Sequence, residues 1–341
     1  MKTTGQAARP AAILTGMTEP PGRVASSGTS RGLVGPELVG PELAGPELVG
    51  PELIGAVLGL DLAGAEPTRG HQGQGRTWLA TCGADPVVVK WGLDPDLPEK
   101  LPYVAAQVPV LRGRGCPVPE IIAHGPLPGG AYGWVQERLP GAPATMLDET
   151  LLQDLIQLTG RMAGAPPGPH RSRYSEWVPL VVFADEAGWW RAAAAVSPAA
   201  AGICRRLHRW AGRPRDQPPP SHDYVHADLN LGNLMVAAGR LVGLVDTENL
   251  GTGDRAIDLA RLAFDWHVLD LAGTPGLAPD GRDRLARLGL AISGPAGWRL
   301  AIAYEIVSRL GWRSEHGTQT DPAATEVAAC AGFLDAMTGL A

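Results

Sequence analysis

The stretch that decides the fold is HADLNLGNLMV, residues 226–236, followed by LVGLVD at residues 241–246. Apolar residues fill most of both runs, and a glycine lies in the short segment between them, as expected for a turn. We therefore predict a polar loop that leads into an antiparallel hairpin. In such a hairpin Asn233, before the first strand, and Asp246, after the second strand, meet at the open end.

An amide oxygen and a carboxylate that face one small space suit a magnesium ion. Magnesium prefers oxygen ligands and usually takes one or two protein carboxylates together with substrate phosphates. Asp228 lies upstream on the same loop, where its carboxylate can orient a hydroxyl group and accept the proton, and His226 is expected to brace the loop. The alternative is that His226, Asp228 and Asn233 only satisfy backbone groups of the loop.

These residues resemble a known family. HADLNLGNLMV, then LVDTE at residues 244–248, then GDRAIDLARL at residues 253–262 are similar to the Brenner-type motif and metal aspartate of aminoglycoside phosphotransferases and the related choline and homoserine kinases. Three linked patterns agree in order and spacing, and the resemblance extends over roughly residues 63 to 338. It implies an α+β, bilobal protein-kinase-like fold, with a small β-rich N-lobe and a larger, mainly helical C-lobe.

The resemblance also implies an activity. A chain of this kind moves the γ-phosphate of ATP to a hydroxyl group of a small-molecule substrate, with Asp228 as the catalytic base and Asn233 and Asp246 as the ligands of Mg²⁺. Asp258 is then a structural carboxylate that holds the catalytic loop through backbone hydrogen bonds. The leading acceptor is an aminoglycoside-like or other antibiotic, with an amino alcohol, homoserine or a sugar as the alternative. A catalytically silent nucleotide-binding regulator is the rival from another class.

Nucleotide-binding residues are expected upstream. Lys90 follows the apolar triplet of residues 87–89 and resembles the strand lysine that contacts the α and β phosphates in this superfamily. Gly73 and Gly75 belong to a glycine-rich hairpin, where the missing Cβ atoms let backbone amides approach phosphate oxygens.

WVQERLPG, residues 134–141, resembles the linker between the lobes. There the edge of the adenine ring would meet the backbone carbonyl of Glu137 and the backbone amide of Leu139. The side chains of such a linker carry little signal, because the contacts are made by the backbone.

The sequence departs from the family pattern in three places. Prolines interrupt the helix that should supply a glutamate partner for Lys90: Pro98, Pro102 and Pro109. An interior proline costs a helix about 3 kcal/mol, and the remaining candidate partners, Glu99 and Gln107, fit the usual spacing poorly. Ala227 stands where relatives usually have glycine, and Thr247 occupies the middle of the Asp-aromatic-Glu pattern. Both replacements leave the base and the metal ligands intact.

The organisation along the chain follows composition and periodicity. Residues 1–54 are assigned to a disordered tail, because GPELV, GPELA, GPELV and GPELI repeat from Gly35 to Ile54 and proline forbids a regular helix. A docking tail is the alternative. Residues 55–141 form the N-lobe and residues 142–341 the C-lobe. Helical spacing predicts helices over 147–164, 186–210, 255–271, 282–290, 297–312 and 323–337.

Composition excludes several classes of protein. The net charge of −6 and the scattered basic residues argue against a nucleic-acid partner. No apolar run approaches the ~20 residues of a membrane span, so we expect no membrane partner and a cytoplasmic location. The four cysteines form no C-x-x-C pair and are expected to be reduced thiols. The oligomeric state is left open by the sequence.

Overall fold

The computed structural model describes residues 49–68, 77–185, 187–212, 221–316 and 323–340. These residues form two compact units. The first unit contains the described residues up to Ala105 together with Glu120–Arg138. The second unit contains Ala106–Pro119 and the chain from Leu139 onward. Most of the predicted tail, up to residue 48, lies outside the described residues.

A five-stranded antiparallel sheet forms the body of the first unit. Its strands lie in the order β1 (Leu62–Pro67), β2 (Thr77–Cys82), β3 (Asp85–Gly92), β5 (Tyr132–Glu137) and β4 (Ile121–Pro126). Side chains alternate across a strand, so Val87, Val89 and Trp91 of β3 point to one face, where they are buried with Val135 of β5. Lys90 points to the opposite face.

A short helix, α1 (Pro51–Leu58), precedes the sheet. This helix begins slightly before the predicted N-lobe boundary at Gly55, inside the fourth GPEL repeat, so the boundary was placed too late. Pro51 is tolerated because it occupies the first helical turn, where its missing N–H needs no partner. Gly59 ends the helix with φ 70°, a conformation that favours glycine. Ile54 is fully buried against the sheet, so α1 contributes to the core of the first unit.

The helix α2 (Leu97–Gly113) is continuous despite its three prolines. Pro98 lies in the first turn and is harmless there, whereas Pro102 and Pro109 are interior positions at which the backbone loses an N–H donor. Burial offsets this loss, because Leu101, Val104, Val108 and Leu111 are each at most 1% exposed. Tertiary packing thus overrides an unfavourable local preference.

Helices dominate the second unit. They are α3 (Glu149–Arg161), α4 (Tyr174–Pro179), α5 (Trp189–Val196), α6 (Pro198–Trp210), α7 (Ala256–Leu271), α8 (Gly281–His316) and α9 (Ala323–Thr338). The helical segment predicted over 186–210 is divided into two helices, because the side chain of Ser197 caps α6 and Pro198 opens it. Helix α8 spans the two segments predicted over 282–290 and 297–312, with a break in helical geometry at Gly294.

The predicted hairpin is confirmed. Strands β8 (Leu234–Ala237) and β9 (Arg240–Leu244) pair antiparallel around Ala238 and Gly239, which have φ values of 48° and 74°. Two consecutive positive φ values are those of a type I′ turn, the favoured two-residue hairpin connection. Strand β6 (Ala142–Pro143) pairs with β8 as a third strand.

Two further strands, β7 (Asp223–Val225) and β10 (Gly251–Gly253), pair antiparallel on either side of the hairpin in sequence. They bring the polar loop that follows β7 close to the start of α7. All four cysteines are free thiols, and only Cys82 is partly exposed. Within the described residues, no helix is both long enough and apolar enough to span a membrane.

Candidate active site

Asp228 lies on the loop between β7 and β8 with its side chain 5% exposed. Its Oδ1 accepts hydrogen bonds from Nδ2 of Asn230 at 3.1 Å and from Nη2 of Arg261 at 2.7 Å. Its Oδ2 accepts one from Nδ2 of Asn233 at 3.0 Å. The loop therefore fixes the carboxylate by both of its oxygens.

The first turn of α7 holds the backbone of the same loop. The two carboxylate oxygens of Asp258 accept the backbone N–H groups of His226, at 2.8 Å, and Ala227, at 2.9 Å. Ala227 has φ 66°, in the left-handed region that favours glycine, which gives a physical reason for the glycine expected at this position. These contacts are the backbone hydrogen bonds expected of Asp258.

The ring of His226 joins the loop to the hairpin. Its Nε2 donates to the carbonyl oxygen of Val245 at 2.9 Å, and its Nδ1 accepts the backbone N–H of Asp228 at 3.3 Å. The ring is fully buried. These are the contacts of a brace between the end of β9 and the start of the loop.

The open end of the hairpin brings Asn233 and Asp246 together. The N–H of Val245 donates to the carbonyl oxygen of Asn233 at 2.9 Å, so Asp246, the next residue, lies beside Asn233. Asp246 has left-handed backbone angles, φ 59° and ψ 48°, and it leads into a 3₁₀ turn, Thr247–Asn249. Asp246 is also near enough to Asp228 for its charge to affect the ionisation of Asp228.

The donor atoms at this end fit a magnesium ion that also binds phosphate oxygens. Nδ2 of Asn233 is used in hydrogen bonds to Asp228, which leaves its Oδ1 with no hydrogen-bond donor from the described residues. One amide oxygen and one carboxylate match the small number of protein ligands that such an ion takes. No cluster of three or more His, Cys, Asp or Glu side chains suited to a metal occurs in the described part of the chain.

The electrostatic environment of Asp228 favours a base that works near neutral pH. Burial raises the pKa of Asp228 to about 7, and the negative charge of Asp246 acts in the same direction. The positive charge of Arg261 and the two asparagine hydrogen bonds oppose this shift. A carboxyl group whose pKa lies close to the working pH suits general base catalysis.

Arg261 and Asn230 are site residues that the sequence reasoning missed. Asn230 lies inside the quoted motif, and its Oδ1 also accepts the N–H of Gly232 at 2.9 Å. Arg261 lies one helical turn after Asp258, so the two side chains share a face of α7. That spacing was the available signal in the sequence.

Among the predicted nucleotide-binding residues, Lys90 lies on β3 of the first unit. It pairs in register with Trp134 of β5, and its Nζ lies 5.2 Å from the centre of that indole ring. Glu99 is exposed, and Oε1 of Gln107 accepts the hydroxyl hydrogen of Tyr224 at 2.8 Å.

The other nucleotide-binding candidates are placed as follows. Glu137 ends β5, and its N–H donates to the carbonyl oxygen of Glu120 at 2.9 Å. Leu139 belongs to the second unit, where its side chain lies against Gly243 of β9. Gly73 and Gly75 lie outside the described residues. The binding roles of all five residues, Lys90 included, stay predictions.

Two acidic residues of the second unit are buried and paired with an arginine. Asp265 and Glu305 are 1% and 3% exposed, and both pair with Arg309. Their charges are therefore neutralised inside the second unit and do not contribute a negative surface to a cationic ligand.

Comparison with known proteins identifies the family. The model of APH, the phosphotransferase enzyme family, matches residues 69–299, about two thirds of the chain. No curated protein sequence matches significantly. The crystal structure of a thermostable mutant of aminoglycoside phosphotransferase APH(4)-Ia, in ternary complex with ADP and hygromycin B, has a TM-score of 0.59 and 18% identity. The match covers 83% of this chain and 97% of that one.

A second structure of a thermostable APH(4)-Ia mutant, with AMP-PNP and hygromycin B, has a TM-score of 0.59 and 17% identity, covering 82% of this chain and 96% of that one. At these identities the likeness establishes the fold, so the predicted α+β, protein-kinase-like fold is confirmed. The chain therefore belongs to the APH phosphotransferase enzyme family.

Proposed function

We propose that this protein transfers the γ-phosphate of ATP to a hydroxyl group of a small molecule, with Asp228 as the catalytic base. The observation that carries the proposal is the arrangement around Asp228. Its buried carboxylate is held by Asn230, Asn233 and Arg261, and Asn233 lies beside Asp246 at the open end of the hairpin.

The residues of the chain divide the chemistry as follows. Asp228 orients the acceptor hydroxyl and takes its proton as the new oxygen–phosphorus bond forms, while the bond from the γ-phosphorus to the β–γ bridging oxygen breaks and ADP leaves. Asn233 and Asp246 would hold Mg²⁺, which supplies positive charge next to the phosphate oxygens when it is bound. Lys90 would add a second positive charge at the α and β phosphates. Little covalent chemistry is asked of the protein, so catalysis rests on position and charge.

The acceptor that we propose is an aminoglycoside-like or other hydroxylated antibiotic. The likeness of fold to APH(4)-Ia structures that contain hygromycin B supports this class, as does the net charge of −6, which favours a cationic ligand. The nucleotides in those structures, ADP and AMP-PNP, support ATP as the donor. A metabolite acceptor, such as an amino alcohol, homoserine or a sugar, fits the same transfer chemistry.

Phosphate incorporation provides the test. Purified protein with ATP and Mg²⁺ is incubated with hygromycin B, other aminoglycosides, amino alcohols, homoserine and sugars, and each product is examined by mass spectrometry for one added phosphoryl group. Asp228→Asn should lower kcat by about 100- to 10,000-fold while nucleotide binding, measured by calorimetry, is retained. Asp270→Asn, on the exposed face of α7, is the matched control and should be fully active.

A catalytically silent nucleotide-binding regulator is the second candidate. The three prolines of α2, the helix expected to supply a glutamate partner for Lys90, suggest this candidate. Such a protein would bind ATP but would neither modify any acceptor nor hydrolyse ATP faster than Asp228→Asn does. Acceptor phosphorylation that depends on Asp228 would reject this candidate.

A further inference from the structure

Arg261 of α7 links Asp228 to a second buried carboxylate. Its Nη2 lies 2.7 Å from Oδ1 of Asp228, and its Nη1 lies 3.8 Å from Oε2 of Glu305 on α8. The three side chains are 3–5% exposed. A single planar guanidinium therefore spans the loop and α8, which a point charge cannot do.

The chain of charges continues and returns to the same loop. Arg309 donates to Glu305 through Nε and to Oδ1 of Asp265 through Nη2, the latter at 2.8 Å. The remaining oxygen of Asp265, Oδ2, accepts the backbone N–H of Leu231 at 3.3 Å. Leu231 lies three residues after Asp228, so the circuit closes through the loop itself.

This circuit restricts the Asp228 carboxylate. Positive and negative side chains alternate along the circuit. Arg261 contacts Glu305, and Glu305 contacts Arg309, which in turn contacts Asp265. Rotation of the carboxylate away from Arg261 would break the 2.7 Å ion pair between two buried groups, which is unfavourable in an interior that water does not reach. The two asparagine hydrogen bonds to Asp228 set the other directions.

We propose that Arg261 is a positioning residue that fixes the orientation of the Asp228 carboxylate, and that Glu305, Arg309 and Asp265 hold Arg261 in place. The inference rests on the proposed function for its kinetic consequence, because only a carboxylate aligned on the acceptor hydroxyl promotes transfer. The orientation itself can be measured without any substrate.

The kinetic arm uses two substitutions. Arg261→Lys keeps the charge but reaches only one of the two carboxylates, and it should lower kcat by about 10- to 100-fold with KM for ATP unchanged. Arg261→Gln should lower kcat further than Arg261→Lys does, because glutamine carries no positive charge. If Arg261→Gln does not fold, as judged by circular dichroism, Arg261→Lys alone decides. Arg287→Lys, on the exposed face of α8, is the matched control and should behave as wild type.

The structural arm uses the three asparagines of the chain, Asn230, Asn233 and Asn249. In protein labelled with ¹⁵N only at asparagine, the side-chain amides of Asn230 and Asn233 report on the carboxylate to which they donate, and Asn249 is an internal reference. Arg261→Lys should shift the first two signals and leave the third in place.

The two arms separate the possible failures. Unchanged signals from Asn230 and Asn233, or equal shifts of all three asparagines, would overturn the inference, as would an increase of kcat in Arg261→Gln. If wild type phosphorylates no acceptor, the proposed function fails, and the asparagine signals still decide whether Arg261 orients Asp228.

Discussion

Oδ1 of Asp258 accepts the backbone N–H of Ala227 at 2.9 Å, and Ala227 is held there with φ 66°. The carboxylate thus satisfies the partly buried N–H of a residue whose backbone conformation is unfavourable for any side chain with a Cβ atom. Helix α7 and the loop before β8 are joined at this peptide, one residue before Asp228. The next two predictions concern Ala227 and Asp258.

Ala227→Gly should stabilise the protein. The left-handed conformation costs alanine more than glycine loses in backbone entropy on folding, so the free energy of unfolding should rise by about 0.5 to 1 kcal/mol. Urea denaturation measures the change, and kcat should stay close to that of wild type. Ala328→Gly, at an exposed interior position of α9, should have the opposite sign and destabilise by about 1 kcal/mol. Equal effects of the two substitutions would refute the conformational argument.

Asp258→Asn should destabilise the protein. The asparagine keeps the shape of the side chain but presents an NH₂ group to one of two backbone N–H donors, which leaves that buried donor without an acceptor. The expected loss in the free energy of unfolding is about 2 kcal/mol. Chemical denaturation of this variant is compared with that of Asp270→Asn on the exposed side of the same helix, which should be unchanged. A wild-type stability for Asp258→Asn would mean that the two hydrogen bonds contribute nothing.

The hairpin and its polar loop were predictable because their signals are local. Two apolar runs separated by a short turn force Asn233 and Asp246 to the same end, and the structure places them there. Arg261 was not predictable in the same way, since its partners Asp228 and Glu305 lie 33 and 44 residues away in sequence. Periodicity could place Arg261 on the face of Asp258, but only the packing of α7 against α8 brings the opposite charges to it.

Helix α1 shows a different kind of error, in which the rule that proline disfavours a helix was applied to a position where it does not hold. Proline in each GPEL repeat argued against a helix, yet Pro51 is accommodated in a first turn, where proline has no donor to lose. Ile54 of the same repeat is buried against β3 and β5. The repeat pattern alone does not reveal this contact with the core.

Ile54→Ala should therefore destabilise the protein although it lies within a low-complexity repeat. Ile54 is 0% exposed, and truncation of such a side chain typically costs about 2 to 5 kcal/mol. Val57 lies on the same helix at 44% exposure, and Val57→Ala should change stability by less than about 0.5 kcal/mol. Urea denaturation of the two variants checks this contrast. Equal, small effects would mean that α1 does not contribute to the core.

The burial of Ile54 also decides where the predicted tail, residues 1–54, should be cut in a deletion experiment. Removal of residues 1–54 would take Ile54 with it, so any loss of function would mix docking with stability. Deletion of residues 1–48 leaves α1 and the fourth repeat intact and tests the segment before them, which includes nearly all of the first three repeats. We expect this shorter deletion to retain the melting temperature of the full chain.

His267 should make the stability of the protein depend on pH. It lies buried on α7 beside Phe333 of α9, and burial lowers its pKa, with a further contribution from the positive charge of Arg282 and an opposing one from Asp270. The pKa of His267 is lower in the folded chain than its unfolded value of about 6.5. Its contribution to the free energy of unfolding is therefore fully present above a pH of about 6.5. The contribution is lost as the pH falls toward the folded pKa.

His267→Phe removes this dependence. Between pH 7.5 and 5.5 the free energy of unfolding of the variant should therefore fall less than that of wild type, by up to about 1.4 kcal/mol per pH unit, and the melting temperature should fall less as well. Wild type alone is not decisive, because burial raises the pKa of Asp258 to about 7 and of Asp265 to about 6, and their contributions grow as the pH falls. His208→Phe, on the exposed side of α6, is the control and should keep the pH dependence of wild type. Identical pH profiles for His267→Phe and His208→Phe would show that His267 titrates in the folded protein as it does in the unfolded chain.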